Sequence, residues 1–72
     1  MNATSEIKTV VSFSGNGFVF AVLSIGSCWS VAVKQYGALN SYKVIDVVSC
    51  EDEQEARSVA WALSEPDGYK GV

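Results

Sequence analysis

Phe18-Val19-Phe20-Ala21-Val22-Leu23-Ser24-Ile25 lies inside a run from Thr9 to Val33 that holds no charged residue. In an extended chain successive side chains point to opposite faces. Here both parities are apolar, so a strand of this composition needs cover on both sides. A chain of 72 residues has room for about one two-layer core. The second cover is therefore expected from another molecule, which makes the chain a binding or self-associating module.

Upstream of this stretch, Ile7, Thr9, Val11 and Phe13 alternate with Lys8, Val10, Ser12 and Ser14, the period of a half-buried strand from Glu6 to Ser14. Gly15-Asn16-Gly17 supplies a two-residue hairpin turn, through either Gly15-Asn16 or Asn16-Gly17, because such turns require positive φ. Downstream, Gly26-Ser27 is a second hairpin signal and Cys28 to Tyr36 a third strand. Gly37 to Ser41 forms a five-residue connection, and Tyr42 to Val48 a fourth strand. Ser49, three residues before Asp52, starts a helix whose first turns carry Glu51, Asp52, Glu53 and Glu55, where the helix dipole favours acids. Ala56, Val59, Ala60 and Leu63 form one apolar stripe, and Pro66-Asp67-Gly68 stops the helix. The pattern predicts an α+β fold, ββββα, in which a four-stranded antiparallel meander is followed by one C-terminal helix packed on one face. Residues 1–72 form a single domain, with Met1 to Ser5 a flexible lead-in and residues 66–72 a tail.

Either Gly-Asn turn gives the same face assignment. One face collects Val11, Phe13, Phe18, Phe20, Val22, Trp29, Val31, Val33, Ile45 and Val47, and should take the helix. The other collects Lys8, Val10, Ser12, Val19, Ala21, Leu23, Ile25, Ser30, Ala32, Lys34, Tyr36, Tyr42, Val44, Asp46 and Val48. It has an apolar centre and a rim of Lys, Asp and Tyr, which is either the anatomy of an interface or a face over which a long loop or the tail folds or on which the helix lies instead.

Five Lys and Arg against eight Asp and Glu give a formal charge of −3. Direct binding to nucleic acid is not expected, because a phosphate backbone needs a basic stripe. Seven of the acids lie from Asp46 onward, which points to a partner with a basic protein surface. No secretory signal pattern opens the chain, so a cytoplasmic protein is expected. Gly15-Asn16-Gly17 and Gly26-Ser27 cut the uncharged run well below a membrane span. There is no histidine, which removes the commonest general base and most zinc sites. The acids from Glu51 to Glu55 lack the alternate spacing and central glycine of a calcium loop. No cofactor, no metal and no enzymatic activity are expected.

Tyr36 opposite Tyr42 would also set Cys28 opposite Cys50, close enough for a bridge, although in a cytoplasmic protein two thiols are the expected state. Trp61 falls off the helix stripe. It either stacks with Arg57 as a binding anchor or tucks under the Pro66 to Tyr69 tail. Tyr36 and Tyr42 are either an aromatic contact or a cross-strand pair of purely structural value.

The layout that opens with Trp29-Ser30-Val31-Ala32-Val33 and continues through Ser49-Cys50-Glu51-Asp52-Glu53-Gln54-Glu55-Ala56-Arg57 and Ala60 resembles small proteins of bacteriophages and mobile elements, some anti-CRISPR inhibitors among them. The resemblance implies a short, acidic, non-enzymatic protein that occludes a host machine, and it supplies no site residues. The expected function is thus inhibition of a larger nucleic-acid-handling protein, such as a CRISPR effector, by covering a basic site. The expected partner-binding residues are Glu51, Asp52, Glu55, Arg57, Trp61, Tyr36 and Tyr42. The alternative is a structural homo-oligomer, at its simplest a homodimer, whose contact face centres on Ala21, Leu23 and Ala32.

Overall fold

The computed structural model describes residues 6–69. The expectations for residues 1–5 and 70–72 lie outside the described residues. Strands β1 (Ile7–Gly15), β2 (Phe18–Ile25), β3 (Cys28–Tyr36) and β4 (Tyr42–Cys50) form one antiparallel sheet in the order β1-β2-β3-β4, and α1 (Glu53–Ser64) packs on one face of it. The architecture is the ββββα fold expected from the sequence.

Turn chemistry sets the meander. Asn16 (φ 57°) and Gly17 (φ 83°) are both left-handed, as a type I′ hairpin requires; this selects Asn16-Gly17 over Gly15-Asn16. In the second hairpin only Gly26 has positive φ, at 62°, the type II′ pattern. The third connection is a tight turn in which Leu39 (φ 62°) and Asn40 (φ 59°) are both left-handed. It is tied by Gly37 N–H to the Ser41 carbonyl at 2.7 Å and by the Ser41 hydroxyl to the Ala38 carbonyl at 2.8 Å.

The core lies between α1 and the covered face. Phe20, Val22, Val31 and Val33 on the sheet and Ala56 and Ala60 on the helix are fully buried. The two alanines let the helix approach closely, and each large side chain removed from water contributes about 1.5–3 kcal/mol. Tyr69 follows the helix and sets its ring edge-on against Phe18 at 5.0 Å and Phe20 at 5.6 Å. Burial, and then the charge of Asp46, pushes the Tyr69 hydroxyl's ionisation up.

The first hairpin also holds the far end of the helix. Asn16 Nδ2 donates to the carbonyls of Leu63 at 3.1 Å and Glu65 at 2.6 Å; a helix terminus leaves such carbonyls free of intrahelical bonds, and that of Glu65 also accepts the Gly68 N–H at 2.8 Å. Beside it Gly15 is so close to the helix that an added Cβ would stand 1.9 Å from the Ser64 carbonyl oxygen.

Two β-bulges correct the face assignment. In β1, Thr9 pairs with Leu23 and Val11 with Val22, so Val10 is an extra residue; in β4, Val33 pairs with Asp46 and Lys34 with Val44, so Ile45 is extra. Each extra residue inverts the alternation beyond it. Lys8, Asp46 and Val48 therefore belong to the covered face, while Ile7, Thr9 and Val47 belong to the open one. Ile45 packs against the core as expected, whereas Val47 is 55% exposed. Tyr36 does pair with Tyr42, but the bulge sets Trp29 opposite Cys50, leaving Cys28 and Cys50 on opposite faces and both free. The bridge that an unbroken register would permit is excluded.

Asn16→Gly keeps the turn but deletes both bonds to the helix end, and should lower stability by about 1–3 kcal/mol; Gly15→Ala should cost more. Urea denaturation of the two variants checks the order. The bulge in β4 carries its own prediction: protein unfolded without reductant should take up two alkyl groups per chain by mass spectrometry. Uptake of none would restore the bridge.

Candidate protein-binding surfaces

β4 runs two residues past Val48, because Ser49 and Cys50 pair with Ser30 and Trp29. The strand thereby claims Ser49, and the helix cap moves to Asp52. Its carboxylate accepts the Glu55 N–H at 2.8 Å, and Glu55 Oε1 accepts the Glu51 N–H at 2.6 Å. This reciprocal arrangement satisfies two exposed donors at the helix start. Asp52 and Glu55 are thus part of the fold as well as of the acidic surface. Burial, and then the charges of Glu55 and Asp52, pushes the Cys50 thiol's ionisation up, away from the thiolate form that reacts.

Arg57 Nε donates to Glu53 Oε2 at 2.8 Å, one turn back along the helix. It is therefore directed away from Trp61. Trp61 is 57% exposed, so it is not tucked under the tail, and its ring meets Phe13 of β1 edge to face at 5.5 Å and 84°. The pair stands in a groove of about 460 Å³ lined by Ser12, Phe13 and Ser14 of β1 and by Trp61, Ser64, Glu65 and Pro66. Since β1 is an edge strand, the outer side of its backbone has no strand beside it.

The face opposite α1 has no covering layer among the described residues. Its rows follow from the register: Ser14-Val19-Lys34-Val44, then Ser12-Ala21-Ala32-Val47, then Thr9-Leu23-Ser30-Ser49, with Ile7, Ile25 and Cys28 at one end and Tyr36 and Tyr42 at the other. Val19, Ala21, Ser30 and Ala32 at its centre are buried, whereas Val44, Val47, Tyr36 and Tyr42 at its β4 edge and one end are each more than half exposed. Because the bulges move Lys8 and Asp46 to the other side, Lys34 is the single charged residue on this face among the described residues. Its Nζ lies 5.9 Å from the Tyr42 ring centroid. The Tyr42 hydroxyl donates to that of Tyr36 at 2.8 Å, a bond that pushes the ionisation of Tyr42 up.

The expected partner-binding residues therefore divide. Glu51, Asp52 and Glu55 stand at the start of α1, Arg57 one turn on, and Trp61 about 13 Å along the axis from Asp52 at 1.5 Å per residue. Tyr36 and Tyr42 lie on the opposite face with Ala21, Leu23 and Ala32. Sequence reasoning missed Leu39, which is 98% exposed in a left-handed conformation at φ 62°. It also missed Phe13 as the partner of Trp61. No helix among the described residues is long and apolar enough to cross a membrane, and no group of three or more His, Cys, Asp or Glu among them is placed to hold a metal ion. Comparison with family models, curated proteins and solved structures returns no match for this chain.

Asp52→Ala removes the helix cap and should lower stability by about 1 kcal/mol. Glu53→Gln weakens only an exposed ion pair and should change it by about 0.5 kcal/mol or less. Thermal denaturation of both variants measures the difference; equal effects would show that the cap is not formed.

Proposed function

We propose that the chain is a non-catalytic protein-binding module that sets the outer side of α1 against a basic surface of a nucleic-acid-handling protein. This is the mode of action of the phage-type inhibitors that it resembles, those of CRISPR effectors included, and it would be exercised in the host cytoplasm. One observation carries the reading. Glu51, Asp52, Glu53, Glu55, Glu65 and Asp67 follow one element, the only cation of α1, Arg57, is bonded to Glu53, and Trp61 stands half exposed beside them. An uncompensated negative surface accelerates encounter with a basic one and repels nucleic acid. An exposed tryptophan over a groove supplies the apolar anchor that charge alone does not. The absence of histidine and the exposure of the acids, which leaves their carboxylates solvated, support the non-catalytic part of the reading.

Trp61→Ala combined with Glu65→Lys tests the reading without touching the Asp52 cap at the start of α1. Immobilised wild-type chain should capture basic nucleic-acid-binding proteins from host lysate at low salt and release them as salt rises. The double variant, folded by circular dichroism, should capture little of them. Equal capture by both chains would overturn the proposal.

A further inference from the structure

Both edges of the sheet carry a β-bulge, a feature that hinders the docking of a further strand, but the two bulges leave different remnants. Between Val10 and the turn, β1 keeps five residues, Val11 to Gly15, in unbroken register with β2, and none is charged. In β4 the bulge at Ile45 falls in mid-strand, with Lys43 and Asp46 close on either side. β1 is thus the edge left open to an added strand.

The first hairpin fixes which backbone groups this edge offers. The first carbonyl of a β-turn accepts from the fourth N–H, so Gly15 and Phe18 form a hydrogen-bonded pair, and in an antiparallel ladder such pairs alternate with non-bonded ones. Phe13 with Phe20 is the next bonded pair. Ser12 and Ser14, opposite Ala21 and Val19, therefore turn their N–H and C=O groups away from β2, toward the side that has no strand. Both serines are exposed. With Phe13 they form the sheet-side wall of the groove that Trp61 and Ser64 to Pro66 close on the helix side. Glu65 is the single charged residue lining it, and the bond from Asn16 to the Glu65 carbonyl holds that residue at the Gly15 end. Unpaired backbone groups beside an apolar cleft are the means by which sheets take up extended peptides.

We propose that this edge accepts an extended segment of the protein partner as a fifth, antiparallel strand, with an apolar residue opposite Phe13 and a lysine or arginine two residues before it, opposite Gly15. Alternation along the strand puts both side chains on the α1 side: the apolar one enters beside Phe13 and Trp61, and the basic one reaches Glu65. The antiparallel direction continues the existing sheet and gives the stronger ladder; it is also what sets the order basic, any residue, apolar. The segment is the docking part of the basic partner proposed above, so the assignment rests on that reading. A second copy's β1 does not meet the same demands. Laid antiparallel with Phe13 opposite Phe13, it brings Val11 against Gly15 and covers Glu65 without supplying a cation.

The probe is the peptide fluorescein-Gly-Thr-Lys-Thr-Leu-Thr-amide, titrated into the full chain and followed by fluorescence anisotropy. It should bind saturably, and a peptide with the lysine and leucine exchanged about tenfold more weakly. N-methylation of either threonine next to the leucine removes an amide that pairs with Ser12 or Ser14 and should weaken binding about tenfold. N-methylation of the leucine, whose amide points away from β1, should leave it unchanged. Ser14→Pro, which an edge strand tolerates where the N–H faces outward, should abolish binding in a chain folded by circular dichroism. Glu65→Gln should erase the difference between the lysine peptide and its glutamine analogue. Equal binding after both threonines are methylated, or preference for the exchanged peptide, would overturn the proposal. So would a dimer of the chain that Ser14→Pro dissociates, because the edge would then belong to a second copy. Lysate capture separates this strand from the reading beneath it: capture without peptide binding overturns the added strand alone, whereas absence of capture overturns the basic partner.

Discussion

One helix of twelve residues can roof one side of a sheet, and the rest of the molecule follows from which side it takes. Ala56 and Ala60 allow α1 to settle closely on Phe20, Val22, Val31 and Val33, the face with the larger side chains. The first hairpin then fixes its far end through Asn16 and the glycine beside it. Nothing in the described chain remains to cover the other face. The surplus of apolar residues in β2 is thus divided between the core under α1 and a second face on which Val19 and Ala21 are buried while Val44 and Val47 of β4 stay exposed.

The bulges sort charge as well as register. Without them Lys8 and Asp46 would stand on the open face, each an isolated charge to be desolvated under any cover. With them, both face the helix side, as do the acids of α1 and Arg57. The molecule is consequently two-sided: an acidic, aromatic-tipped helix on one side, and a nearly neutral sheet on the other. These two surfaces suit different contacts, and both can be occupied at once.

The fold was legible where local chemistry is decisive. Asn16-Gly17 and Gly26-Ser27 admit few alternatives between strands, and the spacing of Ala56, Val59, Ala60 and Leu63 predicts the helix face that is buried. Bulges leave no comparable mark. Val10 and Ile45 are ordinary strand residues, and their extra place in the register is set by pairing across the sheet. That is why Val47 and Val48 exchange faces and why Cys28 and Cys50 do not meet. The helix cap was misplaced for a related reason, since Ser49 is a good cap until β3 offers it a partner. Of the site, the exposure of Trp61 was one of two arrangements open to the sequence, but its neighbour Phe13 was not foreseeable, because it comes from the opposite end of the chain.

The tie between Asn16 and the carbonyls of Leu63 and Glu65 spans 47 and 49 residues. A contact of that separation closes a loop around most of the chain, and such closures come late when a protein assembles. The three hairpin connections are local, so on the ribosome the meander emerges and pairs first, with the greasy underside of β2 bare until α1 has been made. Until the helix docks, the apolar face that it covers is bare, and transiently exposed apolar surface of that kind is prone to stick to its neighbours. The asparagine at the first turn is the latch that closes this interval.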